Sequence, residues 1–180
     1  MSLIPTPSQT AGPFVSIGTE WLCGASALPA PPADAVTITG RVLDGQGLPV
    51  TDAMLEFWHS GAAGRGPSEP SHSWSGFARA LTDADGRYRL ATVKPGATGD
   101  PAEAPHIDVS VFARGLMQRL VTRIYFADEE VLNSTDPVLL SVPTTERRRS
   151  LVARHENGVF AFDIHLQGDD ETVFFAPWPE

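Results

Sequence analysis

The stretch Val36-Thr37-Ile38-Thr39-Gly40-Arg41-Val42-Leu43-Asp44-Gly45-Gln46-Gly47 decides the fold class. Val36, Ile38 and Val42 alternate with Thr37, Thr39 and Arg41, so an extended chain here has one apolar and one polar face. Asp44-Gly45-Gln46-Gly47 then supplies a tight turn. The same pattern recurs along the chain and predicts strands over 53–59, 77–82, 87–92, 106–113, 119–126 and 159–166. In the last of these, Phe160, Phe162, Ile164 and Leu166 share a face. Asp83-Ala84-Asp85-Gly86 joins two of the strands, with a glycine that can take the positive φ of a hairpin loop.

Sixteen glycines and sixteen prolines interrupt any long helical period. Two short helical pieces are expected, at 128–133 and at 144–153, the second with Thr144 as N-cap and Glu146 in the first turn. Three segments read as irregular: the N-terminal arm to about Gly18, the proline-rich 29–33, and 61–75. No internal repeat is visible. The expectation is an all-β protein, a prealbumin-like β-sandwich with short helices and irregular arms, divided into an arm (1–18) and one domain (19–180).

At 180 residues, 42% hydrophobic and 19% charged, the chain can bury one core and has too little length for two comfortable domains. A net charge of −9 argues against nucleic acid and anionic membrane surfaces as partners. The dense basic run Arg147-Arg148-Arg149 reads as a solvated face of a short helix. A single cysteine, Cys23, leaves no intrachain disulfide framework and no cysteine-rich metal site. Residues 1–13 carry no basic residue and no apolar core of a signal peptide, and no stretch approaches the ~20 apolar residues of a membrane span. A cytoplasmic location is expected.

Several stretches, in order, narrow the reading: Thr6-Pro7-Ser8-Gln9-Thr10-Ala11-Gly12-Pro13-Phe14; Leu55-Glu56-Phe57-Trp58-His59; Ala104-Pro105-His106-Ile107-Asp108-Val109-Ser110-Val111-Phe112-Ala113-Arg114-Gly115; Thr122-Arg123-Ile124-Tyr125-Phe126; and Gly168-Asp169-Asp170-Glu171-Thr172-Val173-Phe174-Phe175. This set resembles the intradiol ring-cleaving dioxygenases of the protocatechuate 3,4-dioxygenase kind, and among them the α-type chain. The resemblance implies a heteromer with a homologous β subunit, mononuclear Fe(III), and opening of the ring of 3,4-dihydroxybenzoate by O₂.

Fe(III) is a hard ion that favours anionic oxygen, which tyrosinate provides alongside imidazole. The iron-bearing chains of the family use two tyrosines and a His-x-His pair, whose members share one strand face. Here His106 stands at the first position of that pair and Asp108 at the second, and Ala97-Thr98 stands where a tyrosine should follow Lys94-Pro95-Gly96. The two tyrosines present, Tyr88 and Tyr125, match no ligand position and read as half-buried strand aromatics. The resemblance therefore assigns the iron to the β subunit and no metal ligand or catalytic residue to this chain. His106 and Asp108 read as a hydrogen-bonded structural pair, with part of a 2-His-1-carboxylate site as the alternative. His59, His72, His155 and His165 read as surface or strand residues.

The resemblance gives the chain a share in the walls of the substrate pocket through Thr10, Gly12, Pro13 and Arg114. Glycine permits close backbone approach and proline fixes the arm's direction. Arg114 ends an apolar strand, where a guanidinium can reach a carboxylate. The alternatives are a disordered terminus for the arm, a strand-end ion pair for Arg114, and a prealbumin-like binding module for the whole chain.

Overall fold

The computed structural model describes residues 7–12, 14–19, 35–64, 76–99 and 103–176. Pro13, His72, the 29–33 segment and most of the 61–75 segment lie outside the described residues. The described residues form nine strands: β1 Val36–Leu43, β2 Met54–Trp58, β3 Phe77–Leu81, β4 Arg87–Thr92, β5 His106–Phe112, β6 Leu120–Phe126, β7 Val152–Glu156, β8 Val159–Ala161 and β9 Ile164–His165. They form one continuous order, β3-β2-β5-β6-β7-β8-β1-β4, with β9 beside β1. The sheet folds over itself into two layers, as the alternating pattern predicts. Leu55, Phe57, Ile107, Val109 and Val111 from one layer meet Ile38, Val42, Leu90 and Phe160 from the other in a single core. Burying each of these larger side chains contributes about 1.5–3 kcal/mol.

The strand expected over 159–166 is broken at Phe162-Asp163, although all four of its apolar residues do pack against the core. The break has a local cause. Phe162 turns its carbonyl onto Gly40, and Tyr88 donates its hydroxyl to that carbonyl at 2.7 Å. The Asp163 carboxylate then takes the Arg41 N–H at 2.9 Å. β1 thus pairs with β8 at Ile38-Thr39 and with β9 at Val42-Leu43.

Four further expectations are corrected. Asp83–Gly86 does not close a hairpin: β3 pairs with β2 and β4 with β1, so this turn carries the chain from one layer to the other. Gly86 does adopt positive φ (69°), and Asp83 ties the turn by accepting from the N–H groups of Asp85 and Arg87. The arm is not irregular up to Gly18, because Phe14–Thr19 is a helix, α1. The helix expected over 144–153 is α4, Thr145–Arg149; Thr144 does cap it, but 152–156 is strand β7. Tyr88 and Tyr125 are fully buried rather than half-buried, at 3% and 0% exposure.

The region 128–133 is helical as expected, a 3₁₀ turn followed by α2, Glu130–Asn133. A further helix, α3, Pro137–Ser141, was not foreseen despite its Asp136-Pro137 start, the N-cap and first-position residues of a helix. The arginine run is also more than a solvated face. Arg147 donates to the Glu171 carbonyl, and Arg148 donates to the carbonyls of Val142 and Leu140.

At Gly40 the backbone of β1 is approached closely by the Phe162 carbonyl, at the break between β8 and β9. A Cβ there would sit 1.7 Å from the Phe162 oxygen. Gly40→Ala is expected to destabilise the chain by about 3 kcal/mol, because the Tyr88–Phe162 bond and the β1–β9 register must both give way. Urea denaturation reads this as a lowered midpoint; an unchanged midpoint would mean that the crossing of β1 and residue 162 is wrong.

Candidate functional site

Two groups of residues are candidates, and they lie on different parts of the sheet. The first sits on the outer side of β5 and β6. Asp108 and Arg123 are directly opposed across the two strands, and Arg123 Nε donates to Asp108 at 2.9 Å. Its Nη1 donates to Glu103 at 2.6 Å. Tyr125, two residues on, donates its hydroxyl to Asp136 at 3.0 Å, and Asp136 also accepts from Ala104 N–H and, as the cap of α3, from Leu139 N–H. His106 Nδ1 is 2.7 Å from the Ala104 carbonyl, so it carries the proton, and Nε2 faces Glu103 and Asp108 at 3.7 and 3.9 Å.

The loop after Lys94-Pro95-Gly96 arrives beside this group through the Thr98–Glu103 bridge. The positions at which the resemblance expects ligands, Ala97-Thr98, His106 and Asp108, come to one side of the sheet, and neither Ala97 nor Thr98 supplies the phenolate that ferric iron favours. Burial pushes the Tyr125 phenol well above its ordinary pKa, with Arg123 pulling against that shift and Asp136 adding to it. Burial pushes Tyr88 upward too, reinforced by Asp163. Both hydroxyls already donate within the fold, Tyr125 to Asp136 and Tyr88 to the Phe162 carbonyl. Burial works against the charge of Arg123, but Tyr125, Asp108 and Glu103 outweigh it and hold its pKa above the usual arginine value. A permanent cation thus engages Asp108 and Glu103, the carboxylates on which a 2-His-1-carboxylate arrangement around His106 would draw. Among the described residues no three of His, Cys, Asp or Glu form a metal-ligand set.

His106 and Asp108 do share this cluster, but each is bound chiefly to another partner, His106 to Ala104 and Asp108 to Arg123. The other histidines differ from expectation in one case. His59 is an internal bridge: Nδ1 donates to the Ser60 carbonyl and Nε2 accepts from Thr92 in the other layer, both at 2.7 Å. Its burial, partly offset by the Ser60 carbonyl, lowers its pKa. His155 is exposed and stacks on Phe160.

The second group brings together three of the four residues assigned to the pocket wall. Thr10 Oγ1 accepts from the Gly115 N–H at 2.7 Å, which ties the arm to the turn bearing Arg114. Gly115 has φ of 89°, a value that glycine tolerates. Arg114 is ion-paired with Asp52 through Nε and remains 63% exposed. Gly12 accepts from Val15 N–H at the start of α1, and nothing described lies within 4 Å of where its side chain would be. Pro13 lies outside the described residues. Asp52 and Arg123 were not singled out from the sequence. An arginine inside the apolar strand Val121-Thr122-Arg123-Ile124-Tyr125, opposite an aspartate, was the signal for the second.

A family model described as dioxygenase matches residues 25–168. The chain belongs to the intradiol dioxygenases. It is 42% identical to the protocatechuate 3,4-dioxygenase alpha chain of Burkholderia cepacia, over 97% of this chain and 98% of that one. It is 37% identical to the beta chain from the same organism, over 79% and 68% of the two chains. Among solved structures, the dioxygenase domain of a carbohydrate-binding fusion from Streptomyces sp. SirexAA-E superimposes with a TM-score of 0.60 at 26% identity, covering 81% of this chain and 88% of that one. Family membership implies ferric iron in the working complex, and the matches to both chain types fit a heteromer. No helix among the described residues is long and apolar enough to cross a membrane.

Replacing Arg123 with Met should cost about 1–3 kcal/mol, since Glu103 and Asp108 lose their cation but stay partly solvated. Adding Asp108→Asn should recover part of that loss, and thermal denaturation of the two variants measures the difference. Equal stability of wild type and Arg123→Met would show that the guanidinium is a surface ornament.

Proposed function

We propose that the chain is the iron-free α-type subunit of a heteromeric protocatechuate 3,4-dioxygenase, whose β subunit holds the Fe(III) for intradiol cleavage of 3,4-dihydroxybenzoate by O₂. The observation that carries this reading is the Arg123 guanidinium, bound to Glu103 and Asp108 within a family framework that otherwise serves a metal. Bound iron supplies the activation of the catechol ring towards O₂. What falls to this chain is the shape and charge of the pocket wall.

The wall is built from the arm and the Arg114 turn. Asp52 fixes the guanidinium of Arg114 at its Nε edge, and the exposed remainder is suited to the substrate's carboxylate or to an acidic group beside it. Thr10 holds the arm against the same turn, and no described residue packs on the open side of Gly12, two residues further along. A residue left open in this way lets a second chain approach the backbone closely. α1 follows the arm, and its Phe14 and Ile17 are 81% and 66% exposed. Large exposed apolar side chains favour a partner surface, and the homologous β subunit is the partner proposed. A cytoplasmic location belongs to this same reading.

The test is turnover per iron in co-expressed complexes. Removing residues 1–13 should leave assembly and iron content intact and lower turnover at least tenfold. Arg114→Ala should lower kcat/KM by roughly 10- to 100-fold, as expected for a charge-assisted hydrogen bond of about 1.5–3 kcal/mol. Full activity per iron in both variants would remove arm and arginine from the pocket.

A further inference from the structure

The outer side of β1 and β4 carries a cluster of cations that the pocket-wall reading does not use. In the β1–β4 register Arg41 lies directly opposite Arg87, and Thr39 opposite Arg89. Residues 87 and 89 are two apart on one strand, so all three guanidiniums project from the same face. Like charges directly opposed on a sheet destabilise it. Among the described residues none of the three is salt-bridged. The two acids at this place accept their hydrogen bonds from backbone, and Asp83 meets Arg87 and Arg41 only as nearby charges. Asp83 accepts from the N–H groups of Asp85 and Arg87, and Asp163 accepts from the N–H of Arg41. Three cations against two anions leave this face net positive in a chain whose net charge is −9.

The face is also concave. A cleft of about 860 Å³ runs over it, lined by the three arginines, both aspartates and the Thr39 hydroxyl, with Leu43, Leu81 and Ala161 supplying apolar wall. That volume is in the range that takes a small organic ligand, roughly 300–1,000 Å³. Guanidiniums are planar forks that pair two-to-two with carboxylate and phosphate oxygens. Walls of low polarity strengthen the field of the charges they enclose.

We propose that this cleft binds a compact multivalent organic anion, held through its carboxylates or phosphates by Arg41, Arg87 and Arg89. A multivalent ligand can engage more than one guanidinium fork at once and relieves the repulsion between Arg41 and Arg87; a monovalent one engages a single fork. The site is separate from Thr10, Gly12 and Arg114, and the inference does not depend on the role given to them.

Calorimetric titration of the assembled protein at low ionic strength tests it, with citrate as the polycarboxylate, pyrophosphate as the polyphosphate and acetate as the monovalent control. At least one of the first two should bind at least about tenfold more tightly than acetate, and whichever does names the ligand's chemistry. Arg87→Gln/Arg89→Gln should weaken that binding by at least about tenfold, whereas Arg119→Gln, outside the cleft, should not. Should the double variant misfold, Arg89→Gln alone carries the same comparison with a smaller loss. No preference for the multivalent anions, or equal binding by the cleft variants, overturns the proposal. So does a double variant that alters only the assembly state on size-exclusion chromatography, because the cleft would then be a contact for an acidic protein surface.

Discussion

The Arg123 guanidinium is the constraint on which the rest of the candidate site depends. It joins β5 and β6 through Asp108, reaches the entry to β5 through Glu103, and stands next to Tyr125, whose hydroxyl leads on to Asp136 and the start of α3. Its charge is permanent and only part-exposed, and the two carboxylates offset the cost of that burial. Both carboxylates are thereby engaged beside His106. One cross-strand pair therefore stabilises the sheet and, in the reading proposed here, closes this chain's own framework to iron. In that reading the chemistry occurs on another chain, and this one influences it from its edge.

That edge is coherent. Thr10 belongs to the arm, Gly115 and Arg114 to the turn after β5, and Asp52 to the turn before β2, yet one hydrogen bond and one ion pair hold them together. β2 and β5 are adjacent and antiparallel, so the start of one strand lies beside the end of the other. The sheet register thus positions Asp52 under Arg114, and the arm is pinned on top. α1 continues from the arm, and Thr19 at its end touches Met54 at the start of β2. A pocket wall made this way needs no catalytic group of its own. It needs a fixed charge and a backbone that a second chain can approach.

Much of the fold was legible because alternation is a direct consequence of strand geometry. Val36, Ile38 and Val42 face the core, as do Leu55 and Phe57, and Ile107, Val109 and Val111. What could not be read was pairing. Asp83–Gly86 has the residues of a hairpin, but Gly86 meets Val42 and Pro49 rather than closing β3 onto β4, a contact set by distant chain. β7 was hidden because its residues follow a well-capped helix, and its pairing with β6 and β8 exists only once the sheet has folded over. At the site, the displaced ligand positions Ala97, His106 and Asp108 stood out in the sequence, whereas Arg123 and Asp52 gain meaning only from what lies opposite them.

The central claim is that this chain shapes a pocket without holding the metal. The most direct measurement is iron content, with the visible tyrosinate-to-Fe(III) absorption, of the chain purified alone and of the complex co-expressed with its β-type partner. The account predicts no stoichiometric iron and no band in the isolated chain, and about one iron per pair of chains with the band present in the complex. Stoichiometric iron with that band in the isolated chain would contradict it.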